Sequence, residues 1–399
     1  MRYLSERKPV LTLTTGPVDA YPEVLQALGR TVLYDLDPAF LAFYEKVARK
    51  AQSAFGTREV PVILHGEAVL GLEAAAASLI AADDVVLNLV SGVYGKGFGA
   101  WAARYGKELV EIEVPYDEAI DPDAVAAMLE QRPDVKVVSA VHHDTPSGTL
   151  NPVDEIGAIT ARHGACLLVD AVSSWGGMRA SPDACQADIY VAGPNKCLGC
   201  PPGLTLMAVS ERGWAKMAAN PRAPRASMLG ILDWREAWRS DRPFPFTPSV
   251  AAVNGLDQAL DLYLDEGPER VWERHALTAA ACRAGVRGLG IDIWPASEAI
   301  ASPTTTAVKL PPGIDPARLL ATARERYGVS LSAGRAETLG KLIRIGHMGP
   351  TAQPLYAVAA VAALGGALRA MGHRVDIGQG TAASMAAIDQ AFRGEGTQS

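Results

Sequence analysis

Between about residue 60 and residue 210, short runs of valine, isoleucine and leucine alternate with helix-like stretches. The apolar runs are 60–64, 84–90, 108–114, 135–141, 166–169, 189–192 and 204–209. Between them, 71–81 is alanine-rich. Segment 121–130 opens on Asp-Pro-Asp, where a capping aspartate and a first-turn proline favour a helix start. Segment 152–163 runs into Gly164, a residue suited to a helix C-terminus. Strands without an exposed face, alternating with helices, predict a mainly parallel sheet covered on both sides. Ligands of such sheets sit beyond the carboxyl ends of the strands.

A proline-rich belt interrupts the alternation: NPRAP at 220–224, then RPFPFTPSV at 242–250. Beyond it the pattern predicts helices over 256–265 and 269–285, a strand in SPTTTAVKL, a helix over 315–327, a strand in LIRIGHMG and a helix over 354–371. The expected organisation is an N-terminal arm (1–20), a large domain (21–250) and a smaller C-terminal α/β domain (251–399). One short helix and a flexible tail from about 380 close the chain.

Several classes of function are disfavoured. The formal net charge is −7, so a basic footprint for nucleic acid is absent. The longest apolar run, LYAVAAVAALGGAL, is shorter than the roughly 20 residues of a membrane span. The opening MRYLSERKPV lacks the apolar core of a signal peptide, so a cytoplasmic protein is expected. Cys197 and Cys200 form a C-x-x-C, but a structural zinc site wants a second pair. His142 and His143 lack a third ligand in the sequence, so no metal is expected. A non-catalytic C-x-x-C redox or metal protein remains the remote alternative.

Four strand-end loops hold distinctive residues. SGVYGKGFG contains Tyr94, HHDTPSGT contains Thr145, LVDAVSSWGG contains Asp170, and YVAGPNKCLGCPPG contains Lys196. Asp170 and Lys196 lie one strand–helix–strand step apart and reach one cleft. A lysine that forms a Schiff base and a carboxylate that keeps a ring nitrogen protonated are what a pyridoxal-type ring needs. Tyr94 is placed to stack on that ring, and Thr145 to hydrogen-bond its phenolic oxygen. A nicotinamide site is the competing reading of the glycines, with Glu111 or Glu113 as the ribose acid. The spacing Gly92-x-x-Gly95-x-Gly97-x-Gly99 does not match G-x-G-x-x-G.

DAVSSWGG, GPNKCLGCPPG and RIGHMG, in that order, resemble the class V aminotransferases of PLP fold type I, in the alanine–glyoxylate (serine–pyruvate) branch. The resemblance covers about 14–372. It implies a large, mainly parallel seven-stranded domain with a smaller C-terminal domain, and an active site at a homodimer interface. It also implies Lys196 as the Schiff-base lysine, Asp170 as the ring-nitrogen partner, Tyr94 as the stacking aromatic and Thr145 as the hydroxyl near the ring oxygen. Arg344 becomes the carboxylate-binding arginine. A guanidinium suits that task because it grips a planar carboxylate with two parallel hydrogen bonds. Arg335 is expected at the same mouth.

The segment HGEAVLGLEAA departs from that family. A glycine between a strand and a helix start is a ready anion site, through free N–H groups and the helix dipole. Relatives hold the phosphate of PLP there with small and hydroxyl residues. This sequence has Glu67, Ala68 and Val69. The hydroxyl expected shortly before the lysine is replaced by Pro194-Asn195, and Thr247 alone keeps its place in the third support. The pattern resembles a subgroup of the branch that uses free vitamin B6. It implies conversion of pyridoxamine and pyruvate to pyridoxal and L-alanine, without tightly bound PLP, with Glu67 on the ring's hydroxymethyl group. The same resemblance implies a role in vitamin B6 degradation and a homotetramer built from homodimers. The alternative is a conventional PLP-bound alanine–glyoxylate or serine–pyruvate transaminase.

Overall fold

The computed structural model describes residues 11–395. The first half of the expected arm and the last four residues of the expected tail lie outside the described residues. Seven strands form the central sheet: β1 (Val62–His65), β2 (Val85–Val90), β3 (Glu108–Glu113), β4 (Val135–Val141), β5 (Cys166–Asp170), β6 (Ile189–Ala192) and β7 (Leu204–Val209). Their spatial order is β1-β7-β6-β5-β4-β2-β3. From β3 across to β6 the neighbours are parallel, and β7 is antiparallel to both β6 and β1. Every residue of β1, β2, β5, β6 and β7 is buried. That is why these strands read as continuous apolar runs. Edge strand β3 carries Glu108, Glu111 and Glu113 and is partly exposed.

The chain leaves β2 for the edge and returns to β4 on the other side. This reversal opens a crevice at the carboxyl ends of β2, β4 and β5. Two helices enter the crevice by their N-termini: α1 (Ala68–Leu79) after β1, and α2 (Val93–Tyr105) after β2. The glycine-rich SGVYGKGFG is therefore mostly helix rather than loop. Its glycines serve helix–sheet packing: a Cβ on Gly95 would lie 2.8 Å from the Leu89 carbonyl oxygen. Glu111 accepts from Asn88 and Lys96, so it is not a free ribose acid. These contacts remove the basis of the nicotinamide reading.

A second, antiparallel sheet has the order β8 (Thr305–Lys309), β10 (Leu342–Gly346), β9 (Ser332–Ala333). Around the two sheets lie α3 (Val250–Glu266), α4 (Pro268–Gly288), α5 (Pro354–Ala370) and α6 (Ile377–Glu395). The α3 side chains Val253, Leu256, Leu260 and Tyr263 pack into the core of the seven-stranded sheet. The second core gathers later residues, including Cys282, Val308, Ile345 and Leu364, together with Leu13 from the arm. Leu13 donates to the Ser330 carbonyl and accepts from the Gly346 amide, so the arm is stitched to the small sheet.

The chain's end differs from expectation. In place of a short helix and a loose tail from about 380, α6 runs for 19 residues to Glu395. Glycines allow it to approach α4 closely: a Cβ on Gly288 would lie 2.9 Å from the Gln379 carbonyl oxygen and from Gly380 Cα. The α4–α6 contact is made through glycine backbone, which leaves no side-chain signal in the sequence. Among the described residues, no helix is long and apolar enough to cross a membrane. Replacing Gly288 with leucine overpacks the α4–α6 contact. The expected cost is about 1–3 kcal/mol, measured as a lower urea midpoint at unchanged slope.

Candidate active site

A cavity of about 570 Å³ opens at the crevice, with Glu67, Tyr94, Asp170, Lys196 and Arg335 in its wall. Strand register brings the key groups together. Asp170 ends β5 opposite Val141 of β4 and Val191 of β6, so the three strand ends are level. Lys196 follows β6 in a turn of glycine and proline and reaches back to the same place.

Asp170 is buried, and its Oδ1 accepts from the Val172 amide at 3.0 Å. Burial pushes its carboxyl up to about 6; the Val172 amide and the Lys196 ammonium draw it down, and Glu67 raises it. Lys196 donates from Nζ to the Thr15 carbonyl at 2.7 Å. Burial lowers the pKa of the amine, Glu67 and Asp170 oppose the shift, and Arg344 adds to it. Gly16 is required at this approach. It has φ +131°, and a Cβ there would lie 2.0 Å from Lys196 Nζ.

Glu67 caps α1. Its Oε2 accepts from the Val69 amide at 2.9 Å, and its Oε1 accepts from Asn195 Nδ2 at 3.4 Å. The carboxylate is thus oriented from two sides while remaining in the cavity wall. Asn195, which stands where relatives were expected to have a hydroxyl, supports Glu67. Thr247, the third expected phosphate support, is exposed.

Tyr94 lies in the first turn of α2, and the Arg335 guanidinium carbon sits 5.7 Å over its ring. That distance suits a cation–π contact. Arg344 comes from the central strand β10, and its Nε donates to the Ala333 carbonyl at 2.9 Å. Burial lowers its pKa, with Tyr94, Arg335 and Asp144 as its other polar neighbours. Arg335 is in the cavity wall and Arg344 is not.

Thr145 differs from expectation. It is fully buried outside the wall and donates to Ser173 Oγ at 2.7 Å. Ser173 lines the cavity, as does Ser139 of β4. The sequence singled out Thr145, but strand-end geometry puts the first serine of VSS between it and the cavity. Sequence reasoning also missed Asn195, Ser173 and the Thr15–Gly16 backbone. Only the serine, next to the aspartate strand end, carried a usable signal.

His143, Cys197 and Cys200 lie outside the cavity wall. His143 Nδ1 meets the Ser173 carbonyl and Thr304 Oγ1, and burial lowers its pKa to about 3. Cys197 and Cys200 are free and buried, and burial pushes both thiols up to about 12. The thiolate needed for redox or metal chemistry is therefore strongly disfavoured.

An aminotransferase class-V family model matches residues 38–370. The chain is 68% identical to a pyridoxamine–pyruvate transaminase of Mesorhizobium japonicum, over 98% of this chain and 99% of that protein. A crystal structure of pyridoxamine–pyruvate aminotransferase from Mesorhizobium loti superposes with a TM-score of 0.95, covering 96% of this chain and 98% of that one. A ureidoglycine–glyoxylate aminotransferase from Bacillus subtilis superposes with a TM-score of 0.91 at 26% identity, covering 96% and 99%. The family model, the relatives and the superpositions agree: the chain belongs to the class V aminotransferases and has the PLP fold type I architecture.

Proposed function

We propose that this protein transfers the amino group of pyridoxamine to pyruvate, giving pyridoxal and L-alanine, with the vitamin ring as a substrate rather than a resident cofactor. The carrying observation is Glu67. A carboxylate fixed by the Val69 amide and Asn195 occupies the helix N-terminus where an anion would otherwise be held. Two unit charges about 4 Å apart repel by roughly 4 kcal/mol at an effective dielectric of about 20. A phosphate dianion is disfavoured there, whereas a neutral hydroxymethyl group donates a hydrogen bond to Glu67. The similarity to pyridoxamine–pyruvate transaminase over nearly the whole chain supports the same reading.

In this reading Asp170 pairs with the ring nitrogen and Tyr94 walls one ring face. Ser173, held by Thr145, faces the phenolic oxygen. Arg335 and Arg344 together bind the pyruvate carboxylate. The bound ring supplies an electron sink. Lys196, its pKa lowered by burial, works as the free amine that moves a proton between ring C4′ and the alanine Cα. Condensation of the pyridoxamine amine with the pyruvate carbonyl beforehand releases one water. After the proton transfer, Lys196 Nζ displaces the alanine nitrogen from C4′ and L-alanine leaves. One water then takes C4′ from the lysine to release pyridoxal. The proposal extends to a role in vitamin B6 degradation and to self-association as a homodimer or homotetramer. The exposed apolar run Val32, Leu33, Tyr34 and Leu36 supports self-association.

A second reading rests on the same Glu67–Val69 hydrogen bond. If the glutamate is only a helix cap, the protein is a conventional PLP-bound alanine–glyoxylate or serine–pyruvate transaminase. Two assays separate the readings: pyridoxamine with pyruvate, and PLP with L-alanine and glyoxylate. Turnover in the first mixture alone is expected, and turnover in the second alone overturns the proposal.

Glu67→Gln keeps a capping oxygen but removes the charge. It is expected to raise the KM for pyridoxamine by about tenfold or more, since a hydrogen bond to a charged group contributes about 1.5–3 kcal/mol. Affinity for PLP, measured by spectral titration, is expected to rise. An acid limb is expected as well. Asp170 must be ionised to pair with the ring nitrogen, and its carboxyl titrates at about 6. Pyridoxal affinity therefore falls as the pH drops through about 6, and Asp170→Asn abolishes that dependence along with most of the affinity.

A further inference from the structure

Asp144 belongs to the HHDTPSGT segment, yet no step above uses it. Its side chain is fully buried at the end of the short strand His143–Asp144. Its Oδ2 accepts from the Tyr94 amide at 2.9 Å and from the Gly95 amide at 3.2 Å. Both amides belong to the first turn of α2, whose own N-cap residue, Gly92, has no side chain to offer. Gly92 is what admits the carboxylate: a Cβ there would lie 2.2 Å from Asp144 Cγ. The other oxygen, Oδ1, is buried without a hydrogen-bond partner. A local serine or threonine would cap this helix without burying a charge. The distinguishing consequence of the observed arrangement is its grip on Tyr94. The residue whose amide Asp144 holds is the one whose ring walls the cavity and carries Arg335 on its face.

We infer that Asp144 is a positioning residue for the ring site, holding the start of α2 so that the Tyr94 ring stands at the height and tilt needed to wall the pyridine. The inference rests on the reading of Tyr94 as the ring wall. Asp144 is not in the cavity wall and acts through Tyr94.

Coupling between the two residues tests this. Pyridoxal dissociation constants are measured by absorbance titration for the native protein, Asp144→Asn, Tyr94→Leu and the double variant. Urea midpoints are recorded alongside. Asp144→Asn is expected to weaken binding about tenfold in the native background and to add almost nothing in the Tyr94→Leu background, as for residues acting through one contact. A merely structural role predicts the same factor in both backgrounds, and that result overturns the inference. So does unchanged binding by Asp144→Asn. If Asp144→Asn does not fold, Gly92→Ala displaces the carboxylate instead, and the same non-additivity is required. Should the native protein turn over only PLP with L-alanine and glyoxylate, the same four constants are measured with PLP. That result removes the pyridoxamine reading alone, whereas additive losses remove the Asp144 inference with either ring.

Discussion

The level ends of three neighbouring strands fix everything at the cavity. Val141, Asp170 and Val191 share one register row across β4, β5 and β6. Parallel pairing aims all three carboxyl ends the same way, so Asp170 emerges where the chain after β6 brings Lys196. A slip of one residue would turn Asp170 to the opposite face of the sheet. Every residue of β5 and β6 is covered, and the backbone ladder that pairs Leu168 with Ile189 and Asp170 with Val191 holds the register. The chemistry is thus held in place by the valines and leucines of the sheet, of which Val141 and Leu168 also reach the cavity wall.

Onto that frame the chain adds two helix N-termini, each closed by a carboxylate. Glu67 caps α1 from within its own segment, and Asp144 caps α2 from a different strand. Helix starts of this kind are natural anion sites. In the proposed function, an incoming phosphate meets a carboxylate already fixed at each of these two helix starts. The side chains expected to help a phosphate are also changed, since Asn195 is engaged with Glu67.

Much of this was legible in the sequence, for physical reasons. Strands buried on both faces must be apolar throughout, so the seven runs announced the sheet. Asp170 and Lys196 stood out because a charged residue at the end of an apolar strand, or in a glycine–proline loop, has few structural uses. The rest depended on long-range geometry. Thr145 and Ser173 are adjacent only because two loops cross, and which hydroxyl faces the cavity is decided by that crossing. Arg335 reaches the cavity wall from the turn after β9, over the Tyr94 ring, a placement that sequence spacing does not give. The glycines of α2 looked like a loop because the sequence does not say which side packs on the sheet. α6 was understated because contacts through glycine backbone leave no apolar stripe.

The charges around the cavity form one system, and Lys196 responds to all of them. Glu67 and Asp170 favour its ammonium form, while burial and Arg344 favour the free amine. A phosphate dianion beside Glu67 would add two more negative charges on the side that favours the ammonium. A neutral hydroxymethyl group adds none, and by donating to Glu67 it occupies the carboxylate that opposes deprotonation. A lysine that must move a proton as the free amine is therefore better served by an unphosphorylated ring. In the proposed function, Glu67 at the hydroxymethyl group and Lys196 at the proton transfer are parts of the same electrostatic balance.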